Sequence, residues 1–445
     1  MMTLKEAARL CGGTVLPEYE AVEFAGAAFD SRTLKPGQLF AALRGETNDG
    51  HKYIPNALQA GAAAVLAEQQ LPGVPTVLVP DSLAGLQALA KGWRQELRGM
   101  KVIALTGSYG KTTTKEMLAK LCACVYRTGC TQKNFNNDIG VPVTLLDQGP
   151  ETELAVVEMG MNHAGEIAPL ADMARPDVAV ITNIGDMHLE NLGTRENICK
   201  EKLNIVRGLA PGGVAVLHGD EPLLRQAALS CPVLWFGLSP DNDLRAEDIA
   251  EGPASVSFTA VGFGQRVPVT LPVPGEHNVL NALAAMLAAR CAGVPLAAAP
   301  EALADFQNTG DRMRIYAQDG YTVVADSYNA GPRSMKAAFE VFRLQPTQGR
   351  RIAVLGDMLE LGENAPELHR QVGEQAAAVA DLILLVGEHR ADTARGAGSK
   401  ARCFDSREVL VEALRAEARP GDALLFKGSR GMKLETVRDA FFNRP

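Results

Sequence analysis

A chain of 445 residues is too long for a single hydrophobic core, and at the usual domain size it divides into about three. Apolar residues make up 47% and charged residues 22% of it, the balance of a folded globular protein, which excludes a disordered, fibrous or disulfide-stapled chain. The net charge of -8, with no basic run anywhere, argues against a nucleic-acid surface, so an anionic ligand would be met by a few lysines, arginines, backbone amides or metal ions.

The opening MMTLKEAARLCGG is amphipathic, carries Lys5, Glu6 and Arg9, and has no long apolar stretch behind it, so it is not read as a secretion signal. The most apolar later stretch, 280–289, is interrupted by Asn281 and followed by Arg290, too short to span a bilayer. Eight cysteines with no CxxC pair and no histidine at zinc spacing are expected as reduced, mostly buried thiols. A cytoplasmic protein is expected, and a monomer, since no sustained heptad or apolar repeat is present.

Across the first hundred residues short apolar runs at 38–43, 63–67 and 76–79 alternate with turn residues, and a helical pattern covers 82–97. From Lys101 the signal strengthens: the strand VIALT, a Gly-rich turn, then a helix over 111–121. Strands at 154–157, 178–182 and 214–217, separated by helix-compatible sequence, give the rhythm of a parallel sheet with crossover helices. An antiparallel excursion is expected over 255–274 and an Ala-rich helix over 278–291. After Asn308-Thr309-Gly310 a third unit begins, with strands at 321–325, 351–355, 382–386 and 423–426. The reading is α/β throughout: a small α/β domain over 1–98, a central P-loop domain with a mostly parallel sheet over 99–308, and a Rossmann-like domain over 309–445.

Thr106-Gly107-Ser108-Tyr109-Gly110-Lys111-Thr112-Thr113 follows a strand and opens a helix, the context in which backbone amides and a helix N-terminus cradle phosphate. Gly107 stands three residues before Gly110, closer than the general P-loop spacing. In this reading Lys111 bridges the β- and γ-phosphates and Thr112 holds Mg²⁺. Glu158 ends the apolar strand LAVVEMG, where ligands of open α/β sheets sit and where a carboxylate suits a hard cation; alone it would read as a solvent-facing strand end. His188 in NIGDMHLENLG also follows a strand, and alone it would read as a satisfied core or surface histidine.

Together these pieces resemble the Mur ligase superfamily, whose members share a shortened TGxxGKT loop, a Glu at the next strand end and a NIGxxHL segment. The resemblance implies that Glu158 and His188 bind two magnesium ions bracketing the ATP phosphates, and that a lysine soon after the histidine is carbamylated. Lys202 is the candidate, with Lys200 close by as the alternative. Gly275-Glu276-His277-Asn278-Val279-Leu280-Asn281-Ala282 resembles the family's GxHNxxNAxAA, which would bring Asn278 and Asn281 to the adenine, although Asn278 could be only a helix cap. Gly310-Asp311-Arg312 and Asp326-Ser327-Tyr328-Asn329-Ala330-Gly331-Pro332 match elements that close over ATP. There Arg312 would stabilise the transferring phosphate, and Asp326 and Tyr328 would contact the nucleotide.

Within the superfamily, DSYNAGPRSM, VLGDMLELG and KGSRGMKLE resemble the branch that adds D-alanyl-D-alanine, whereas tripeptide-forming relatives carry a DYAHTP-like segment. Asp30-Ser31-Arg32, Leu43-Arg44-Gly45 and Asp49-Gly50-His51 resemble the UDP-binding domain, and Asn134, Asn136 and Asn137 fall in the NFNN segment near the muropeptide. Asn329, Lys427, Ser429 and Arg430 are the remaining substrate-binding candidates. Departures are few: Gly331 replaces a common Asn or Ser, the surroundings of Lys202 differ, and Thr131-Gln132-Lys133 replaces a shorter lead into NFNN.

The resemblance implies ATP-dependent ligation of D-alanyl-D-alanine to UDP-N-acetylmuramoyl-tripeptide through an acyl phosphate, giving the pentapeptide precursor of peptidoglycan with ADP and phosphate. A reactive acyl phosphate would hydrolyse if exposed, so the third domain is expected to swing closed over the central one, with a hinge near Asn308 to Gly310. A sibling ligase, a plain NTPase and a non-catalytic nucleotide-binding protein are the alternatives.

Overall fold

The computed structural model describes residues 1–45 and 48–443. The chain begins with the helix Leu4–Cys11, set by a capping box in which Glu6 N–H donates to Thr3 Oγ1 and Thr3 N–H to Glu6 Oε2, and ended by Gly12 at φ +67°. A four-stranded parallel sheet follows, in the order Ala27–Ala28, Leu39–Ala41, Ala64–Ala67, Thr76–Leu78. The helix Ser82–Glu96, capped by Asp81, covers it and also packs on the helices Gly140–Leu146 and Ile167–Ala174 of the central unit.

The central sheet has nine strands. From one edge to the other they run Gln265–Leu271, Val256–Gly262, Leu244–Glu251, Val233–Gly237, Val214–His218, Val178–Ile181, Lys101–Thr106, Leu154–Glu158, Thr128–Cys130. All neighbours are parallel except the two antiparallel pairs at the first edge, which form the expected excursion. The helix Glu276–Ala292 is buried on nearly every face, because its alanines let it lie close between the sheet and the helix Lys111–Ala123. The last sheet runs Arg314–Gln318, Tyr321–Asp326, Ala423–Lys427, Arg351–Leu355, Leu382–Val386, Ala401–Phe404, parallel apart from its first pair.

The small sheet and the central sheet share one apolar core, in which Leu39, Leu66 and Leu89 meet Val102, Ala104 and Val143. Buried polar ties reinforce it: Trp93 Nε1 donates to Gln148 O (2.8 Å) and Arg94 Nε to Ala174 O (3.0 Å). The apolar clusters of the last sheet hold only residues from Met313 onward. It meets the rest through polar contacts such as Gln345 Nε2 to Pro253 O (2.8 Å) and Glu190 N–H to Glu360 O (3.1 Å). Two units are therefore fused and the third is docked on them.

Of the eight cysteines only Cys122 and Cys199 are buried, with Cys124 and Cys403 exposed, so the expectation of mostly buried thiols does not hold. Of the half-buried ones, Cys11 and Cys291 lie at helix ends, Cys130 on an edge strand and Cys231 in the loop before the strand Val233–Gly237. No helix among the described residues is long and apolar enough to cross a membrane.

Candidate active site

The strand Lys101–Thr106 delivers Gly107 to the carboxyl edge of the central sheet. A Cβ on Gly107 would lie 1.9 Å from Thr182 Oγ1, and one on Gly110, at φ +75°, would lie 2.2 Å from Asn281 Oδ1, so both positions require glycine. The neighbouring strand continues into Thr182 and Asn183, which clamp the loop. Asn183 Oδ1 accepts from Tyr109 N–H (2.9 Å), Asn183 Nδ2 and Thr182 Oγ1 both donate to Tyr109 O (2.9 and 2.8 Å), and Ser108 Oγ accepts from Gly185 N–H (2.9 Å). Gly110 is the N-cap of the helix Lys111–Ala123 and no side chain caps it, which leaves the first-turn amides for an anion.

Lys111 Nζ folds back onto Gly107 O (2.8 Å). Burial pulls its pKa below the ordinary lysine value; the Glu158 carboxylate opposes this and the Arg312 charge adds to it. Lys111, Thr112 and Thr113 line a cleft of about 500 Å³ between the central and last sheets, together with Ser108, Gly110, Asn134, Asn136, Asn137, Glu158, His188, Asn278, Asn281, Arg312, Asp326, Tyr328, Asn329 and Lys427. Most of the residues singled out from the sequence therefore converge on one space.

Glu158 is 2% exposed. Its Oε1 accepts from Asn136 Nδ2 (2.8 Å), while its Oε2 is buried with no hydrogen-bond partner. A buried, unpaired carboxylate oxygen beside a phosphate loop is the environment a hard cation fits. Among the described residues no three of His, Cys, Asp and Glu converge as a ready-made cluster. A cation here would complete its shell from phosphate and water, as Mg²⁺ does. His188 stands in the left-handed region at φ +66°, with Nδ1 2.6 Å from Glu360 Oε2 but out of line for a hydrogen bond.

Lys202 lies outside this lining, on the helix Arg195–Leu203, and is 1% exposed, whereas Lys200 is exposed. Burial drives the Lys202 pKa well down and the charge of Lys111 lowers it further, against Glu201 and Cys199. Asn278 sits inside the helix whose N-cap is Gly275, so it is not the cap; its Nδ2 donates to Pro274 O (2.7 Å). Asn281 Oδ1 accepts from Thr114 Oγ1 (3.3 Å), bracing this helix against the loop helix.

From the last sheet, Asp326 Oδ1 accepts from Met313 N–H (3.0 Å) and Oδ2 pairs with Lys427 Nζ (2.5 Å). The Arg312 guanidinium stacks 3.5 Å from the Tyr328 ring centroid, and Arg430 approaches the same ring at 5.7 Å while pairing with Glu435. Ser429 is turned inward: its hydroxyl donates to Ala330 O (3.3 Å) and accepts from Leu359 N–H (2.9 Å), tying three motif segments together away from the cleft.

Ser31, Arg32, Gly45, Asp49 and His51 lie in turns and a short helix that connect the strands of the small sheet, outside the cleft lining. Arg32 grips Asp30 with two nitrogens, which holds that carboxyl down to about 2. This turn faces the NFNN segment through a Phe29–Phe135 ring contact at 5.3 Å. Both ring nitrogens of His51 are engaged within the fold: Nδ1 meets Asp49 Oδ1 (2.7 Å) and Nε2 accepts from Glu68 N–H (3.2 Å).

The sequence reading missed Thr182 and Asn183, whose clamp depends on the neighbouring strand, and three further residues lining the cleft, His218, His277 and Arg333. His277 was inside a quoted motif, but only its position against Asp326 and Lys427 gives it weight; burial lowers its pKa to about 4.

Three family models match the chain: Mur ligase family, catalytic domain, over 23–91; Mur ligase middle domain over 105–289; and Mur ligase, glutamate ligase domain, over 311–430. A UDP-N-acetylmuramoyl-tripeptide--D-alanyl-D-alanine ligase of Bacillus subtilis is 40% identical over 98% of this chain and 97% of its own. The Escherichia coli protein of that name is 37% identical over 92% and 91%. The crystal structure of MurF from Acinetobacter baumannii superposes with a TM-score of 0.89 at 32% identity, covering 99% of each chain. MurF from Thermotoga maritima in complex with ADP superposes at 0.80 with 30% identity, covering 94% and 97%. The chain belongs to the Mur ligase family.

Proposed function

We propose that this protein is an ATP-dependent, amide-bond-forming ligase that joins D-alanyl-D-alanine to UDP-N-acetylmuramoyl-tripeptide in the cytoplasm, as one step of peptidoglycan synthesis. One observation carries the reading. A clamped phosphate loop, a buried carboxylate oxygen without a partner and, from a docked domain, the DSYNAGPRSM segment and Lys427 face one cleft.

A carboxylate condenses with an amine only once one of its oxygens leaves easily. The tripeptide's terminal carboxylate oxygen attacks the γ-phosphorus, the bond to the β,γ-bridging oxygen breaks, and ADP departs with that electron pair. Lys111, released from Gly107 O by the incoming anion, and Arg312 neutralise the charge that develops on the phosphoryl oxygens. The amine of D-alanyl-D-alanine then attacks the acyl phosphate, and the tetrahedral intermediate expels phosphate as its nitrogen loses a proton. Thr112, Glu158 and His188 would hold Mg²⁺, which supplies further charge neutralisation when bound. Asn278, Asn281, Asp326 and Tyr328 are assigned to the nucleotide. The NFNN asparagines, the Asp30–Arg32 turn, Asn329, Lys427 and Arg430 are assigned to the two peptide substrates.

Lys202 is the candidate for carbamylation. A neutral amine is what adds carbon dioxide, and burial favours the neutral form of Lys202 over that of exposed Lys200. Isotope-labelled bicarbonate giving a carbamate signal that Lys202→Ala removes would support this, and a signal unchanged in that variant would refute it.

The deciding experiment measures phosphate release with ATP and Mg²⁺ plus the UDP-linked tripeptide, with and without D-alanyl-D-alanine, and weighs the product. Release that needs both, with a product heavier by the dipeptide less water, is expected. Release without the dipeptide would make the protein a plain NTPase or a sibling ligase.

A further inference from the structure

The registers of the central sheet set Thr106, Ile181 and Leu217 side by side, so the next residues, Gly107, Thr182 and His218, stand level at its carboxyl edge. His218 is thus two strand spacings, about 10 Å, from the phosphate loop. That is the reach from a nucleotide's phosphates to its base, and His218 lines the same cleft.

The ring of His218 is 12% exposed and stacks on Phe236 at 5.2 Å with 14° between the planes, which fixes its orientation. Both ring nitrogens are buried without a hydrogen-bond partner. The nearest carboxylate, Asp220 Oδ2, is 3.8 Å from Nε2 and is already engaged by Leu238 N–H, with Ser239 N–H and Asn242 Nδ2 on its other oxygen. A buried ring with two unmet polar atoms is costly unless something fills them. Burial also holds the ring neutral, which suits a heteroaromatic edge better than a phosphate.

The surroundings agree. Leu280 and Ala337 give the cleft that His218 lines apolar walls, one from each of the helices Glu276–Ala292 and Pro332–Leu344. The second helix lies against the start of the first, since a Cβ on Gly275 would come 3.1 Å from Val341 Cγ2. We infer that His218 is a base-contacting residue, with a ring nitrogen hydrogen-bonded to the polar edge of the purine of ATP between these walls. The inference rests on the nucleotide reading proposed above.

Calorimetric titration of the full chain, in Mg²⁺, with ADP and separately with inorganic tripolyphosphate tests it. His218→Ala should weaken ADP about tenfold, the loss expected of one buried hydrogen bond, and change tripolyphosphate by less than about twofold. His218→Asn, which keeps a donor and an acceptor, should recover part of the ADP affinity. In turnover the KM for ATP should rise while kcat at saturating ATP stays within about twofold. ADP affinity unchanged in His218→Ala, or equal losses for both ligands in both variants, overturns the assignment. Wild-type protein that binds tripolyphosphate but not ADP overturns the nucleotide reading and this proposal with it.

Discussion

Glu158 and His51 separate what a single residue's type can and cannot announce. A Glu at the end of LAVVEMG is visible in the sequence, but that one of its oxygens is buried and unpaired is a property of the fold. The Lys111→Ala variant should lose about two to three orders of magnitude in ATP-dependent phosphate release, because among the described residues no other lysine lines the loop end of the cleft; turnover within about tenfold of wild type would contradict that role. His51 makes the opposite case. Its ring bonds within the fold at both nitrogens, so His51→Ala should lower stability by about 1–3 kcal/mol in chemical denaturation and leave ADP binding unchanged. A variant of full stability with a raised KM for the UDP-linked substrate would instead make the ring a ligand contact. His277 adds a pH dependence. Its pKa falls from 6.5 to about 4 on folding, because burial, aided by Lys427, outweighs the pull of Asp326. The unfolded chain therefore binds the proton more readily, and the stability this residue supports is present above pH 6.5 and lost as the pH falls toward 4. His277→Asn should flatten the decline in melting temperature across that interval, and an identical decline in both proteins would remove His277 as its source.

Elements with buried parallel strands were legible because they read as continuous apolar runs, and VIALT, LAVVE and LILLV need no alternation when both faces are covered. A very short strand and a charged one were not: Thr128–Cys130, at one sheet edge, is three residues long, and Leu244–Glu251, where the sheet turns antiparallel, carries Arg245, Glu247 and Asp248, so neither shows an apolar run. Val233–Gly237 was overlooked because Cys231-Pro232 precedes it and Gly237 closes it, which reads as a turn-rich stretch. The candidate site divides in the same way. The loop lysine and threonine lie in one contiguous motif, whereas the clamp by Thr182 and Asn183 comes from another strand and depends on register. That clamp yields a prediction for the element as a unit. Gly107→Ala would drive a methyl into Thr182 Oγ1, so the loop must shift; ADP affinity should fall at least about tenfold, roughly 1.4 kcal/mol, with a smaller proportional effect on the thermal transition. ADP affinity equal to wild type would mean the loop accommodates the methyl without leaving its binding conformation.

At the scale of the whole molecule the unequal joining of the three sheets decides which part moves. The first two share an apolar core, so separating them would expose buried Leu39, Leu66 and Leu89, while the last is held by polar contacts. Two of these contacts concentrate strain or charge at the cleft. His188 and Glu360 meet although both are non-glycine residues in the left-handed region, at φ +66° and +64°, a conformation that surrounding structure must hold in place. Arg333 reaches Glu221 Oε2 at 3.6 Å, and Glu221, 4% exposed, is otherwise satisfied by Arg195 at 2.9 Å. Such contacts can break without unfolding either side, and an acyl phosphate needs a cleft that opens for substrates and then excludes water. The expected behaviour is an equilibrium between undocked and docked arrangements, turning about Asn308 to Gly310 and drawn toward the docked one by ligands that touch both sides. Solution scattering should show a smaller radius of gyration with an ATP analogue and the UDP-linked tripeptide than without. In a Glu360→Ala, Arg333→Ala double variant the ligand-free radius should be larger, since the docked state loses contacts that the undocked state never had. A radius unaffected by ligands in the wild type, together with an unchanged one in the variant, would mean that the docked arrangement is permanent and that substrates reach the cleft without domain motion.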